Sequence, residues 1–339
     1  MADIIYGFAS SHGPLLSTPA EKWDLRAQAD RENPALDFRG GKYTFAELRE
    51  LRKSEKDFSK EIEIAVREER HRRNQRAMDR LAQELAESRP DVIVLVGDDQ
   101  EEWFHGDVRP SLSIYCGDQV VNTALDPEEV KAMQPGLAIA MTANHPNEDH
   151  VYPVPSLAKH IVDQAIEDEF DVAVSTEQPR NAKGLVGVGH AVGFIYRRIV
   201  QDRPVPIVPV LLNTFYPPNQ PTAKRCYEFG RSIAKAIKSW NGESKDKRVA
   251  VCASGGMSHF VVDEELDERL LTAIKTRNTR RIFAEPESTF RSGTSETKNW
   301  FAVAGILSET DLNMSLIDYV PCYRSEAGTG SGMGYAVWK

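Results

Sequence analysis

The sequence predicts an α/β fold: a single domain with a central mixed sheet and helices on both faces. Apolar runs of strand length alternate with segments of helical periodicity, which is typical of this class. The run Asp91–Gly97 is apolar and β-branched almost throughout, as expected for a strand buried on both faces. A length of 339 residues would suit about two domains. No linker or internal repeat divides the chain, however, so we expect one.

The predicted elements begin with a strand at Ile4–Ala9 and a charged, helical insertion over roughly 19–88. The later predicted strands are Asp91–Gly97, Val172–Val174, Val205–Leu212, Val249–Ala253, Leu316–Cys322 and Tyr335–Trp338. The helical patterns among them cover 153–168, 184–200, 221–239 and 264–279. A glycine-rich segment, 328–334, is predicted to be the loop between the last two strands.

Charge and composition exclude several classes of protein. The 42 Lys and Arg against 51 Asp and Glu give a net charge of −9, which argues against a nucleic-acid partner. No apolar run approaches the roughly 20 residues of a membrane span. The four cysteines are scattered and form no paired motif. With an N-terminus unlike a signal peptide, this favours a cytoplasmic protein.

Polar residues that can bind a metal or act in catalysis follow the predicted strands. Ligands of open α/β sheets bind outside the carboxyl ends of the strands. The candidates there are His12, Asp98, Asp99, Gln100, Asn213, Ser254 to His259, and Asp263 to Glu265. Singly, each has an ordinary structural explanation, such as acidic residues complementing a helix dipole. Together they indicate a metal site with oxygen and nitrogen ligands.

Five segments carry a family resemblance. They are Ser11-His12-Gly13-Pro14, Gly97-Asp98-Asp99-Gln100, Gly189-His190, Lys224-Arg225-Cys226-Tyr227 and Gly255-Gly256-Met257-Ser258-His259. With them the chain resembles the class III extradiol ring-cleaving dioxygenases over nearly its whole length, the insertion excepted. The nearest type is the catalytic β subunit of protocatechuate 4,5-dioxygenase. The length is closer to that of the single-chain relatives acting on gallate and 3-O-methylgallate.

The resemblance implies a non-haem Fe(II) ion held by two histidines and one glutamate. His12 matches the first histidine. Glu265 matches the glutamate, with Glu264 as the alternative one residue earlier. Where the resembled enzymes have their second histidine, this chain has Gln100, which we expect to bind through its amide oxygen. A nearby residue, Asp99 or His105, and an altered site stay open as alternatives.

The resemblance also implies the catalytic residues. His190 matches the histidine that takes a phenolic proton from the substrate and returns it later. His259 belongs to a matched motif and is expected in or beside the cavity. A second active-site histidine of the resembled type falls near Val154, so we expect His150 or His145 to replace it.

The expected substrate side includes His150 and the glycine-rich segment with Thr329 and Ser331. The activity implied is the opening of a catechol-type, carboxylated aromatic ring by O₂. The resemblance further implies a homodimer.

Two other functions fit the same residues. One is a metal-dependent hydrolase that uses His12, Asp99 and Glu265 around zinc. The other is a non-catalytic binding relative that kept the fold, for which Gln100 in place of a histidine is the supporting feature. Metal analysis and iron binding separate these from the dioxygenase.

Overall fold

A computed structural model of the protein describes residues 2–178, 180, 187–241 and 246–339. Its strands are β1 (Asp3–Ser10), β2 (Leu36–Phe38), β3 (Gly41–Tyr43), β4 (Val92–Asp98), β5 (Leu112–Tyr115), β6 (Gln119–Asn122), β7 (His150–Pro153), β8 (Ala173–Ser175), β9 (Ile207–Leu212), β10 (Arg248–Ser254), β11 (His259–Val261), β12 (Met314–Tyr323) and β13 (Thr329–Trp338).

Its α-helices are α1 (Asp24–Glu32), α2 (Phe45–Arg52), α3 (Phe58–Glu61), α4 (Ile64–Ser88), α5 (Pro127–Ala132), α6 (Pro135–Asn144), α7 (Leu157–Glu167), α8 (His190–Ile195), α9 (Ala223–Ser239), α10 (Glu264–Lys275), α11 (Thr279–Ala284) and α12 (Thr297–Ser308). A π-helical turn, Tyr196–Val200, continues α8. The first residues of the predicted helix 184–200, 184–186, lie outside the described residues.

The central sheet has nine strands within the described residues, in the order β11-β13-β1-β10-β4-β9-β5-β8, with β12 also paired to β13. β1, β10, β4 and β9 are parallel to one another. β13 and β5 are antiparallel to their neighbours β1 and β9. The predicted mixed sheet is therefore confirmed.

The core lies on both faces of this sheet. In β4, Val92, Val94 and Val96 join one buried apolar cluster, which includes side chains of α7, α9, α10 and α12. Ile93 and Leu95 join the other cluster, which includes side chains of α4 and α8. Successive strand residues point to opposite faces. The continuous apolar run thus packs against helices on both sides, as its composition predicts.

The glycine-rich segment 328–334 was expected to be a loop, and this expectation is wrong. Most of it lies in β13, which pairs with β12, β1 and β11 and is buried along its whole length. Glycine is needed there for close packing. A Cβ atom at Gly332 would lie only 2.3 Å from Oδ2 of Asp267. The glycines therefore make room for neighbouring side chains instead of forming a flexible turn.

The segment 19–88 contains α1 to α4 and the small hairpin of β2 and β3. Its longest helix, α4, packs against the sheet through residues such as Met78 and Leu81. Its polar face carries ion pairs, for example between Arg80 and Glu84. Within the described residues, no helix is both long enough and apolar enough to span a membrane.

Candidate metal centre

The parallel strands bring polar residues to one edge of the sheet. β1 leads to His12, β4 ends at Asp98 and β10 ends at Ser254. Since these neighbouring strands run in the same direction, their carboxyl ends meet. The sequence-based expectation that these residues converge rests on the same geometry.

Four side chains form a cluster at this edge: His12, Asp98, His190 and Glu296. Each offers one ligand atom, and these atoms all lie within 4.8 Å of one another. Nε2 of His12 is 3.0 Å from Oε2 of Glu296 and 3.9 Å from Oδ1 of Asp98. Nε2 of His190 is 3.9 Å from Oδ2 of Asp98. Two imidazoles and two carboxylates make a donor set suited to a divalent metal ion.

The hydrogen bonds of His12 leave one of its nitrogens free for a ligand. Ser254 donates its single hydroxyl proton to the carbonyl oxygen of Ala191 at 2.7 Å. Its oxygen, 2.9 Å from Nδ1 of His12, therefore accepts a hydrogen bond from the Nδ1–H of that ring. The other ring nitrogen, Nε2, is buried and makes no well-formed hydrogen bond, although Oε2 of Glu296 lies 3.0 Å away. A buried, unpaired imidazole nitrogen facing two carboxylates fits a metal ion.

Glu296 immediately precedes α12, which packs on the same sheet. Gly255 permits this approach, because a Cβ atom there would lie 2.8 Å from the carbonyl oxygen of Glu296. The Glu296 carboxylate accepts hydrogen bonds from the backbone N–H of Gly256 at 2.7 Å and from His259 at 3.1 Å. Burial alone would raise the pKa of Glu296, but the charges of His259 and His12 hold it well below its usual range.

Asp98 is fully buried at the end of β4. Its Oδ1 accepts a hydrogen bond from Nδ2 of Asn299 at 3.0 Å, and its Oδ2 accepts one from Nε2 of Gln100 at 3.0 Å. Burial, and then the nearby charge of Glu296, raise the pKa of Asp98. Its carboxylate therefore has a high affinity for a positive charge, whether a proton or a metal ion.

His190 begins α8 and is oriented by Glu102. One oxygen of Glu102 accepts hydrogen bonds from the backbone N–H of His190 at 2.6 Å and from its Nδ1 at 2.7 Å. The opposite nitrogen, Nε2, therefore faces the cluster. Burial lowers the pKa of His190, but the Glu102 carboxylate outweighs it and raises the pKa to about 10.

His259 lies beside the cluster, as the sequence predicts, and contacts its carboxylate. Its Nδ1 is 2.8 Å from the carbonyl oxygen of Met257, and its Nε2 is 3.1 Å from Oε1 of Glu296. Both partners only accept hydrogen bonds, so both ring nitrogens must carry protons. Burial lowers the pKa of His259, whereas the neighbouring Glu296 raises it, and the net shift is upward.

The glutamates expected to bind metal lie elsewhere. Glu265 has a side chain that is 74% exposed, and it forms an ion pair with Arg39 at 2.9 Å. Glu264 bonds to Lys56 and to Tyr323. In the structure, Glu296 and not Glu265 is the carboxylate beside His12. The reason is that Glu265 faces outward on the first turn of α10.

Gln100 reaches the cluster, but as a hydrogen-bond donor. Its amide nitrogen lies 3.0 Å from oxygens of both Asp98 and Glu296, so its amide oxygen is not the atom presented to them. Asp99 accepts hydrogen bonds from the backbone N–H groups of Trp103 and Phe104. Of the alternatives considered for the second histidine, neither Asp99 nor His105 belongs to the cluster.

The residues expected on the substrate side are spread more widely. His150 lies in β7, in a separate two-stranded sheet. Thr329 is buried in β13, and its hydroxyl group donates a hydrogen bond to Asp30 at 2.6 Å inside the protein. Ser331 pairs with His259 across β13 and β11 and thus lies close to the centre. His145 is buried, with Nδ1 2.9 Å from the carbonyl oxygen of Thr123.

Sequence reasoning missed Glu296, Glu102 and Asn299, and it noted Asp98 without assigning it as a ligand. One signal for Glu296 exists in the sequence. It directly precedes Thr297–Ser308, a helical run with several large apolar residues such as Trp300 and Phe301. Nothing local, however, distinguishes this acid from others that begin helices. No strand ends at residue 296, so the rule that ligands follow the carboxyl ends of strands does not predict Glu296.

Comparison with known proteins agrees with this geometry. A family model described as the catalytic LigB subunit of aromatic ring-opening dioxygenase matches residues 62–329. A gallate dioxygenase of Pseudomonas putida is 29% identical over 166 residues, which are 45% of this chain and 45% of that protein. The match thus spans less than half of the relative's length. The region of similarity covers less than half of this chain as well.

Proposed function

The chain belongs to the LigB family of aromatic ring-opening dioxygenase catalytic subunits, and on this premise we propose that it is an extradiol dioxygenase. It uses O₂ to open a catechol-type aromatic ring beside the two hydroxyl groups. The observation that carries the proposal is the buried cluster of His12, Asp98, His190 and Glu296, with an unpaired nitrogen of His12 directed into it.

We assign Fe(II) to this cluster. His12, Asp98 and Glu296 are the most deeply buried members, with side chains 2%, 0% and 4% exposed. We propose that these three hold the ion. His190 is 17% exposed and is the member best placed to meet a substrate. When bound, the iron would bring the catecholate oxygens and O₂ together and pass electron density between them.

The protein's own groups then have separate tasks. Ser254 fixes the ring of His12 so that Nε2 faces the ion. Glu102 fixes His190 so that its Nε2 faces the cluster. The charge of a bound ion would oppose the effect of the carboxylates on the pKa of His190 and favour the neutral ring, which takes a phenolic proton and later returns it. His259 keeps the Glu296 carboxylate oriented and compensates part of its charge. The deep burial of the three ligands excludes water from the centre.

The proposed substrate is a carboxylated catechol such as gallate, protocatechuate or 3-O-methylgallate. The similarity to the gallate dioxygenase of Pseudomonas putida supports the first of these. The family resemblance supports the other two and also a homodimeric, cytoplasmic enzyme. Sedimentation of the purified protein tests the dimer.

The experiment is an oxygen-uptake assay on protein purified anaerobically with Fe(II). Each of the three catechols is added, and the absorbance of the ring-fission product is followed with the oxygen signal. We expect turnover with at least one of them. Iron-loaded protein that turns over none of them would contradict the proposal. A protein that holds zinc and does not respond to Fe(II) would favour the hydrolase.

The acid/base role of His190 is tested by His190→Ala. We expect bound iron to remain and kcat to fall about 10²- to 10⁴-fold, since general acid–base catalysis contributes about this much. The matched control is His160→Ala, which removes a half-buried histidine on α7 bonded to Ser239. Equal activity in the two variants would refute the role of His190.

A further inference from the structure

Gln100 makes a contact that the proposed mechanism does not use. Its amide nitrogen is 3.0 Å from Oδ2 of Asp98 and 3.0 Å from Oε1 of Glu296. The two carboxylates are far apart in the sequence, because Asp98 ends β4 and Glu296 directly precedes α12. Gln100 therefore joins two ligands that belong to different elements.

The chemistry of the amide determines its orientation. A carboxylate only accepts hydrogen bonds, and the NH₂ group has two protons to donate. One NH₂ group can therefore serve both acids, whereas the amide oxygen in the same place would repel them. The resemblance places a histidine ligand at this position. In this chain the residue has the opposite hydrogen-bonding role toward its acidic neighbours.

Among the described residues, no other donor lies within hydrogen-bonding distance of both acids, and the nearest, Nε2 of His12, is 3.0 Å from Glu296 but 3.9 Å from Asp98. Asp98 has Asn299 as its other partner, and Glu296 has the N–H of Gly256 and the ring of His259. Gln100 thus bonds to both carboxylates directly. Without it, the two buried carboxylates would lose the one donor that bonds to both, and their mutual repulsion would be offset less well.

We propose that Gln100 is a positioning residue that holds Asp98 and Glu296 side by side, so that these two carboxylates and His12 are placed to bind the divalent cation of the centre. The inference rests on the proposed function, because it concerns the same centre. Carboxylate-rich sites suit cations such as Mn²⁺ better than sites rich in imidazole do. A group that orients ligands before the ion arrives reduces the cost of binding.

The test measures Mn²⁺ affinity of the metal-free full-length protein by the EPR signal of free Mn²⁺. Gln100→Met keeps the length of the side chain and removes the donor. We expect it to weaken Mn²⁺ binding about 10-fold or more, the usual size of such effects. Gln83→Met is the matched control. It removes a glutamine on α4 that donates to a surface carboxylate, Glu87. The affinity of this variant for Mn²⁺ should stay within about twofold of the wild-type affinity.

A double-mutant cycle separates a positioning role from direct ligation. Asp98→Asn removes one of the two charges that Gln100 holds. If Gln100 acts through Asp98, the loss caused by Gln100→Met becomes clearly smaller in the Asp98→Asn protein. If Gln100 is an independent ligand, the two losses multiply, and that result overturns the proposal. Unchanged affinity in Gln100→Met overturns it as well.

Folding of each variant is checked by circular dichroism and thermal melting. Gln100→Asn is the second variant, in which the amide is retained but is one methylene too short to reach both acids. It should weaken Mn²⁺ binding in the same direction, and wild-type affinity would contradict the proposal. Wild-type protein that binds neither Mn²⁺ nor Fe(II) would overturn both this inference and the metal centre, whereas protein that binds Fe(II) but no Mn²⁺ would overturn only this inference. Wild-type binding without any variant effect overturns only the inference.

Discussion

The starts of α10 and α12 are two acidic helix N-termini with opposite surroundings. On α10, Asp263 caps the helix by accepting from the N–H of Leu266, and Arg39 bonds to both Asp263 and Glu265. At α12, Glu296 lies 3.0 Å from His12 and is 4% exposed, whereas Glu265 is 74% exposed. Both regions contain acidic residues near a helix terminus, but only one faces the sheet edge.

The difference shows that the partners of an acid, and not its place on a helix, determine what it does. The acids at the start of α10, Asp263, Glu264 and Glu265, are paired with two basic side chains of the segment 19–88, Arg39 and Lys56. Glu296, at the start of α12, meets imidazoles and a backbone N–H instead. We therefore expect α10 to contribute to stability and the α12 start to metal binding.

The largest expected effect is that of replacing Glu296 by its amide, and the same replacement at Glu265 is the comparison. Glu296→Gln removes the charge that faces His12 and should lower both iron content and kcat/KM by at least about 100-fold, more than the loss of an indirect partner. Glu265→Gln changes an exposed side chain and should alter neither by more than about twofold. Metal analysis and oxygen uptake on the two proteins give the comparison. The reverse order of effects would restore Glu265 as the ligand.

A smaller effect is expected for the buried acid of α10. Asp267 accepts hydrogen bonds from the N–H and hydroxyl of Ser258 and from the hydroxyl of Tyr319, at 2.6 to 2.8 Å. Asp267→Asn replaces one accepting oxygen by a donor, which should cost about 1–3 kcal/mol of unfolding free energy. Denaturant unfolding measures this.

The control for this variant is Glu268→Gln, the exposed neighbour on the same helix. It should change the unfolding free energy by less than about 0.5 kcal/mol. If Asp267→Asn abolished iron binding while leaving stability unchanged, α10 would have to be counted as part of the centre.

The smallest effect is expected for Arg39→Ala. Arg39 bonds Asp263 at 2.7 and 2.8 Å and Glu265 at 2.9 Å, but its side chain is 46% exposed. Solvent screens such pairs, so the loss should stay within about 1 kcal/mol and should shrink further at high salt. Iron content should not change. A large loss of iron would show that the segment 19–88 supports the centre directly.

The sequence predicts the parts of the site that depend on strand ends. His12 and Asp98 follow apolar runs, and the parallel order of the sheet brings them together. A catalytic role for His190 is predicted only through the family resemblance, because the neighbouring residues in the sequence form no pattern that indicates one. Glu296 was not recognised, since its contact with His12 depends on how α12 packs against β10. Such packing joins residues far apart in the chain and leaves no local pattern.

The fold shows the same limit. The long apolar strands were predicted, whereas the short β5 (Leu112–Tyr115) was not, because four residues are too few for a clear period. The glycine-rich segment was predicted as a loop because glycine is common in turns. Its place in a buried strand is determined by the side chains that press against it, such as Asp267 on Gly332.

The four residues of the centre come from widely separated places in the chain: after β1, at the end of β4, at the start of α8 and before α12. A metal ion held by three of them, His12, Asp98 and Glu296, would act as a non-covalent cross-link that closes long loops of the chain. The chain between His12 and Glu296 would then form loops whose ends are joined at the ion. Because the unfolded chain has no such preformed site, the free energy of metal binding adds to that of folding. Removal of the ion should therefore loosen the sheet edge cooperatively, well beyond the ligands themselves.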